Sequence, residues 1–552
     1  MSSENLPASE ATSLRATSNA PEEESVQDPP HSLRGILLQL GPGLVIAGSI
    51  VGSGELVATT KTGAQAGISL LWLIVVGCLI KVFVQIELGR YSICTGETTL
   101  TALNRVPGKI GPANWIVWFW FFMMLAGIAQ LGGIVGGVGQ SLAITFPFSG
   151  DLREAIKVPD SNEINSFLTW EEDFASGSTA FNALIAAEQE RVMQGYTRVG
   201  AELDALGERR QSVLDEVRQT GQYKDPWTMD DKIWALLVGL ATAAILYNGR
   251  YGLLQSISTA LVIAFTFVTI GNVASLQMTD EWSISTADIL KGFSFGLPET
   301  GDPWKSLGTA LKTFGIIGVG ATELITYPYW CIEHGYARHT GARTGDDAWA
   351  NRARGWMKVM HYDAFLSMVI YTIATVAFFL MGVAVLHREG RDPGDIRMVS
   401  TLATAYVPIF GEYAKWLFLA GAFAVLYSTF LVANAGHSRM YTDGMKIFGL
   451  IQRHDKKAHD RSITAFCVGL PLLCVALHWT GLKPDRVILI SGMMQATMLP
   501  MIGIGALYFR YTATDPRLAP SKAWDIMLII SFVGLLVAGA WGVWLEISKT
   551  LG

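Results

Sequence analysis

Long apolar runs separated by short polar stretches dominate the pattern along the chain. A helix that crosses a membrane needs about 20 mostly apolar residues. Runs of this kind predict eleven spans, at residues 42–60, 68–90, 113–147, 232–248, 252–277, 308–332, 362–387, 411–435, 463–480, 485–509 and 524–547. The pattern therefore predicts an all-α polytopic membrane protein whose transmembrane domain covers residues 35–147 and 232–548.

Two of these spans carry the same polar interruption. Residues 50–60 read IVGSGELVATT and residues 318–328 read GVGATELITYP. An offset of 268 positions aligns Gly52 with Gly320 and Glu55 with Glu323. Glycine clusters at membrane depth let a helix unwind around a cavity, and an intramembrane carboxylate points to function. The repeat predicts that spans 1 and 6 are broken helices that meet at a substrate site near the midplane.

The position of the two motifs also predicts the topology. Spans 1–5 and spans 6–10 would form two repeats, and span 11 would be an addition. Because each repeat has an odd number of spans, the second repeat is inverted relative to the first. The expected fold is a LeuT-like transporter with a 5+5 inverted repeat plus one extra helix.

Composition agrees with a membrane protein and charge indicates its orientation. Half of the 552 residues are apolar, only 16% are charged, and the mean hydropathy is +0.34. Residues 1–34 are polar and are expected to form a disordered cytoplasmic tail. With the N-terminus in the cytoplasm, inner segments hold 20 Lys and Arg against 9 in the short outer segments. We expect a plasma (bacterial inner) membrane protein with the C-terminus outside.

One outer segment, residues 148–231, is a long acidic insert. It holds 17 acidic and 8 basic residues. Apolar residues seven apart predict a helix with one apolar seam: Ile185, Val192, Val199, Leu206 and Val213, interleaved with Tyr196, Leu203 and Val217. The insert could be a helical hairpin that packs on the protein's own outer face, or residues 181–217 could contact a second copy or another protein.

Several segments resemble the Nramp family of divalent-metal transporters. They are GPG at 41–43, TGAQAGISLLW at 62–72, LGRYSICTG at 88–96, Gly320-Ala321-Thr322 in span 6 and Leu499-Pro500 in span 10. The resemblance covers roughly residues 35–548 apart from the insert. It implies the same eleven-span fold and the transport of a divalent cation.

The family's metal-binding positions differ in this chain. Its span-1 Asp and Asn correspond to Gly52 and Glu55, and its span-6 alanine matches Ala321. Leu324 stands in place of its methionine and Thr326 in place of its histidine.

Two further differences concern spans 3 and 10. The family's acidic proton-relay positions in span 3 align near Leu131 and Ile134. Its span-10 glutamine aligns near Gly492, although Gln495 lies one turn on.

These replacements remove a soft sulfur ligand and leave oxygen donors, which suit Mg²⁺, Mn²⁺ or Ca²⁺. The resemblance thus implies a transporter for a hard divalent cation, without the family's usual proton route. The expected site comprises Glu55, Glu323, Gly52, Ser53, Gly54, Ala321 and Thr322, with Thr326, Gln495 and Asn434 as secondary candidates.

Other interpretations remain open from the sequence. Either glutamate could pair with Lys81 or Lys312 as part of the scaffold. The same fold could carry a small organic solute, or the chain could be a non-transporting sensor that uses its outer insert. No enzyme is predicted, because phosphate-binding, nucleophile-elbow and zinc motifs are absent from the sequence. Besides the transported cation and the lipid bilayer, we expect no cofactor and no nucleic-acid partner.

Overall fold

The computed structural model describes residues 26–43, 51–177, 179–184, 186–248, 251–298, 303–453 and 455–551, and most of them are helical. Within these ranges the only β structure is a two-stranded antiparallel hairpin. It consists of β1 (Lys109–Ile110) and β2 (Ala113–Asn114), with Lys109 opposite Asn114. The predicted all-helical membrane fold is confirmed.

The predicted spans correspond to helices, of which those of spans 1 and 6 are short because both spans are broken. They are α2 (Thr60–Ala66) for span 1, α3 (Leu71–Thr95), α5 (Trp115–Thr145), α10 (Asp230–Tyr247), α11 (Tyr251–Leu276), α13 (Pro303–Phe314) with α14 (Ala321–Glu333) for span 6, α16 (Asp347–Met381), α19 (Ala414–Ile447), α20 (Lys456–Trp479), α21 (Pro484–Thr512) and α22 (Lys522–Leu551). Part of span 1, residues 44–50, lies outside the described residues. Among the described residues, seven helices are individually long and apolar enough to cross a membrane.

Shorter helices connect the spans and build the insert. They are α1 (Leu33–Leu38), α4 (Thr99–Leu103), α6 (Asp151–Ala155), α7 (Ser161–Ser176), α8 (Ala186–Asp204), α9 (Arg209–Thr220), α12 (Thr286–Gly292), α15 (Tyr336–Thr340), α17 (Met398–Thr404) and α18 (Val407–Phe410).

Several helices extend beyond their apolar segments, because side-chain caps rather than hydropathy set where they begin. The predicted seventh span starts at residue 362, whereas α16 starts at Asp347, where the Asp346 side chain accepts a hydrogen bond from Trp349 N at 2.9 Å. Asn114 also caps α5, through Val117 N at 3.0 Å, but that helix begins within the predicted span. A capped polar turn remains helical outside the apolar layer.

Spans 1 and 6 are irregular at the two motifs. The chain enters α2 through a π-helical turn, Gly54–Thr59, and α2 ends at Gly67, whose φ is 57°. In span 6, α13 ends at Phe314 and α14 begins only at Ala321. Residues 315–320 between them form the span-6 break, in which Gly318 has a φ of 55° that favours glycine.

Glycines let the broken helices touch neighbouring backbones directly. A Cβ added at Gly382 would lie 2.2 Å from Thr60 O, and one at Gly63 would lie 2.4 Å from Phe379 O. At the other broken helix, a Cβ at Gly315 would lie 1.9 Å from Gly492 O. No side chain fits at such positions. The backbone of α2 therefore packs directly on the backbone of span 7, and the end of α13 packs on α21 in the same way.

The acidic insert folds around its own apolar cluster. Val199 and Leu203 of α8 and Val213 and Val217 of α9 are buried with Phe167 of α7. The structure divides the seam between two helices, because α8 ends at Asp204 and Gly207, with a φ of 58°, turns the chain into α9. The turn folds the seam back on itself, and Ile185 lies outside the described residues. Contact with another chain through residues 181–217 stays a prediction.

Candidate functional site

The two motif glutamates have the same local structure, each at the start of its half-helix. Leu56 N donates to Gly52 O at 2.9 Å, and Leu324 N donates to Gly320 O at 2.9 Å. Each glutamate also turns back to accept from the amide of its motif glycine: Gly52 N donates to Glu55 at 3.4 Å, and Gly320 N to Glu323. A carboxylate in this place satisfies a free amide and complements the positive end of the helix.

Glu55 is fully buried and ties span 1 to the span-6 break. Its Oε1 accepts a hydrogen bond from Gly318 N at 3.0 Å and another from Thr375 Oγ1 at 3.3 Å. Its neighbour Gly54 faces the same break, since a Cβ there would lie 2.9 Å from Ile316 O. Glu55 is therefore held by donors from three spans in this conformation.

Lys81, in the middle of α3, contacts the same break from the other side. Its Nζ donates to Phe314 O at 2.5 Å and to Ile317 O at 2.8 Å, and it lies 4.7 Å from the centre of the Phe314 ring. The side chain is fully buried. The sequence suggested Lys81 only as a partner for a carboxylate. Its isolation within an apolar span was the available signal, but the sequence could not show that it binds carbonyls.

Glu323 is only partly exposed and lines a small cavity beside α14. The cavity measures about 20 Å³, close to the space that one water molecule needs. Its wall consists of Thr322, Glu323, Thr326, Trp330, Val432, Ala433, Gly436 and His437. His437 is buried, and its Nδ1 has no hydrogen-bond partner among the described residues. His437 was not among the site residues predicted from the sequence.

A chain of polar side chains connects the start of α14 to spans 10 and 3. Thr322 N donates to Gln495 Oε1 at 3.2 Å, and Gln495 Nε2 donates to Gln130 Oε1 at 3.0 Å. Ser491 Oγ donates to the same Gln130 oxygen at 2.7 Å. Gln130 was not singled out from the sequence, because one amide in a long apolar span gives no sign of what it faces.

The remaining predicted residues divide into those at the site and one away from it. Gly52, Ser53 and Ala321 are buried at the starts of the two half-helices. Thr326 lines the cavity and donates to Thr322 O at 2.7 Å. Asn434 is buried in α19, where its Nδ2 bonds to Phe430 O at 2.7 Å, and it does not line the cavity.

The acidic groups do not form a ready cluster. Among the described residues, no group of three or more His, Cys, Asp or Glu could hold a metal ion together. Lys312, the other lysine considered as a partner for the glutamates, instead pairs with Glu546 at 3.1 Å.

Comparisons with known proteins agree with this architecture. The structure is similar to that of a point mutant of the Eremococcus coleocola manganese transporter, with a TM-score of 0.54 and 14% identity over 96% of this chain and 90% of the other. A second point mutant of that transporter gives 0.53 at the same identity and coverage. Its complex with an aromatic bis-isothiourea compound gives 0.52 at 14% identity, over 94% and 90% of the two chains. No curated protein sequence matches significantly.

The fold and the broken helices define the class: an integral, multi-pass membrane protein with the inverted-repeat transporter fold. The sequence profile of the Nramp family, described as natural resistance-associated macrophage protein-like, matches residues 227–545. That range is more than half of the chain, and the chain belongs to this family.

Proposed function

We propose that the protein is a secondary transporter that moves a divalent metal cation by alternating access, with its N-terminus in the cytoplasm. The observation that carries this proposal is the cavity at Glu323, where a carboxylate, two threonines and an imidazole surround a space of about 20 Å³ at the start of a half-helix. Family membership and likeness to a manganese transporter support the same function.

The donors at this cavity suit a cation that keeps part of its hydration in a wider conformation, because about 20 Å³ here accommodates one ion or one water molecule. Glu323 supplies one carboxylate, Thr322 and Thr326 supply hydroxyl oxygens, and water would complete the shell. Oxygen donors favour hard ions such as Mg²⁺ or Mn²⁺, and an imidazole from His437 would favour Mn²⁺ between the two. Gly52, Ser53, Gly54 and Ala321 would contribute backbone oxygens in conformations that bring the half-helices together, with Gln495 reaching the site from span 10.

The two motif glutamates would have different roles. Glu55 is buried and holds Gly318, so it would keep the span-6 break in shape, while Glu323 would face the ion. We do not propose the family's proton route, because Leu131 and Ile134 are apolar and buried at the positions where the resemblance places the acidic relay.

Transport of a small organic solute is the second candidate. The cavity volume argues against it in this conformation, because about 20 Å³ accommodates an ion or a water molecule but no organic molecule. Competition by amines or amino acids in an uptake assay separates the two candidates.

Ion uptake into proteoliposomes tests the proposal. The purified chain should take up Mg²⁺ or Mn²⁺, and Glu323→Gln should reduce the uptake at least tenfold without loss of folded protein. Glu55→Gln should lower both uptake and the midpoint of thermal unfolding, Tm. Glu333→Gln, at the far end of α14 in an exposed pair with Arg439, is the matched control and should leave uptake unchanged. A wild-type protein that takes up no divalent cation would refute the proposal.

A further inference from the structure

One peptide group in the span-6 break is held at its two ends by the side chains of a lysine and a glutamate. The carbonyl between Ile317 and Gly318 accepts from Lys81 at 2.8 Å, and the N–H of the same peptide donates to Glu55 at 3.0 Å. Lys81 belongs to span 2 and Glu55 to span 1, so the two side chains meet only through span 6. Neither group is exposed.

The same two side chains replace one missing helical hydrogen bond. In a continuous α-helix, Gly318 N would donate to Phe314 O, four residues earlier. Here Gly318 N donates to Glu55, and Phe314 O accepts from Lys81 at 2.5 Å. The helix is thus opened at this bond, with an ammonium on the freed acceptor and a carboxylate on the freed donor. Backbone groups opened at membrane depth need such partners.

We propose that Lys81 is a built-in cation that occupies a binding site for a small monovalent cation, formed by the carbonyl oxygens of Phe314 and Ile317. Freed carbonyls of broken transporter helices are cation ligands, and a tethered ammonium satisfies them permanently. Lys81 is then a positioning residue that keeps the break open through Glu55 and Gly318, and the wild-type break needs no alkali cation. This inference does not depend on which solute is carried.

Chemical rescue of Lys81→Ala tests this assignment. The full-length variant is purified without divalent ions, and its Tm is measured with added ethylammonium, Na⁺ or K⁺ chloride. Tetramethylammonium chloride at the same concentration controls for ionic strength, since that ion is too bulky and cannot donate hydrogen bonds. We expect Lys81→Ala to melt several degrees below the wild type. Ethylammonium or one of the alkali ions should recover part of the difference in a saturable manner.

Two proteins serve as matched controls in that assay. The wild type retains its own ammonium, and Lys312→Ala removes a lysine whose partner is Glu546 at the other side of α13. Neither should gain stability from ethylammonium or Na⁺ beyond the effect of tetramethylammonium. Equal responses of all three proteins, or no effect of any small cation on Lys81→Ala, would overturn the proposal.

A double-mutant cycle keeps the question answerable if Lys81→Ala does not yield folded protein. Lys81→Met fills the volume without the charge, and it is combined with Glu55→Gln. If the two charges act through one peptide, the double variant should lose less stability than the sum of the two single losses. Additive losses would contradict the proposal. The rescue assay contains no divalent ion. A failed rescue therefore contradicts the assignment of Lys81, whereas a failed uptake experiment contradicts the proposed function.

Discussion

At the scale of single residues, Gly320 is where the site tolerates least change. A Cβ at this position would lie 2.4 Å from Glu323 Oε2, 2.8 Å from Gln495 Oε1 and 3.2 Å from Gly315 O. Because Gly320 has no side chain, the Glu323 carboxylate can fold back on its own half-helix. Gln495 Oε1 can at the same time accept a hydrogen bond from Thr322 N. Its counterpart Gly52 donates its amide to Glu55 at 3.4 Å.

Gly320→Ala should reduce uptake strongly while the protein still folds. The added methyl group displaces Glu323 and Gln495 together, and overpacking of this kind costs about 1–3 kcal/mol. Uptake at subsaturating cation and Tm are measured on the same preparation. Gly271→Ala is the control, because a Cβ there meets nothing within 4 Å. Alanine is the better helix former by about 1 kcal/mol. Uptake by Gly320→Ala equal to that of the control would show that the carboxylate position does not matter.

The sequence predicts some of these residue roles and not others. The 268-residue offset identifies both glutamates and their glycines, because a repeated motif places equivalent atoms at equivalent depths. It does not predict the difference in their surroundings, since that depends on the unlike neighbours Lys81 and His437. Which carbonyl a lysine binds follows from how helices pack, and a single sequence carries little information about that.

At the scale of helices, α2 of span 1 is held to two other parts of the chain by an ion network around Lys61. Lys61 Nζ lies 2.9 Å from Asp392 and 3.3 Å from Asp485, and it donates to Pro393 O at 2.6 Å. These groups border a cavity of about 250 Å³. The lysine thereby connects α2 to α21 and to the loop after span 7, and we expect this contact to hold the Lys61 end of the helix bundle closed.

Lys61→Met should favour opening of that end, because it leaves Asp392 and Asp485 close together without a cation. Accessibility is read from a cysteine placed at Thr309, which lines the same cavity, with a membrane-impermeant thiol reagent. The reagent should label Thr309→Cys several-fold faster when Lys61 is replaced.

Two controls accompany the labelling. Lys157→Met removes an exposed lysine of the insert that pairs with Glu154, and it should not change the rate. The chain without the added cysteine gives the background from its own five cysteines, of which four are buried. Unchanged labelling in Lys61→Met would mean that the ion network does not hold this end of the helix bundle closed.

At the scale of the whole molecule, hydropathy predicts a membrane protein made of helices, and the repeated glycine–glutamate motif predicts its two inverted repeats. Hydropathy is less informative for the insert, where the heptad pattern is genuine but Gly207 divides it between α8 and α9. A period alone cannot show whether two parts of an apolar seam face a partner or each other. Residues 161 and 223, near the two ends of the insert, lie close together, since Tyr223 N donates to Ser161 Oγ at 2.9 Å.

Removing the insert should leave transport intact. A short Gly-Ser linker between Asp160 and Lys224 replaces residues 161–223 and retains the contact of Arg397 with Asp225 at 2.7 Å. The apolar cluster removed belongs to the insert alone. We therefore expect unchanged uptake in proteoliposomes and a Tm close to that of the full chain.

The full-length Arg397→Ala variant is the control for this deletion. It removes the buried side chain that binds Asp225 and Val158 O, and it should lower Tm. If the shortened chain remains folded but transports nothing, the insert is essential and the sensor or scaffold interpretation gains support.

The bare-backbone contacts at Gly382 and Gly315 have a consequence for motion. Where two helices touch without intervening side chains, no side chain can change its rotamer to accommodate sliding. Movement of one helix past the other would therefore break close-packed contacts between them. The second half of span 1, α2, should then travel with span 7, and the first half of span 6, α13, with span 10. These pairs are the natural rigid bodies in any inward-to-outward transition, with the hinges falling at the two glycine breaks.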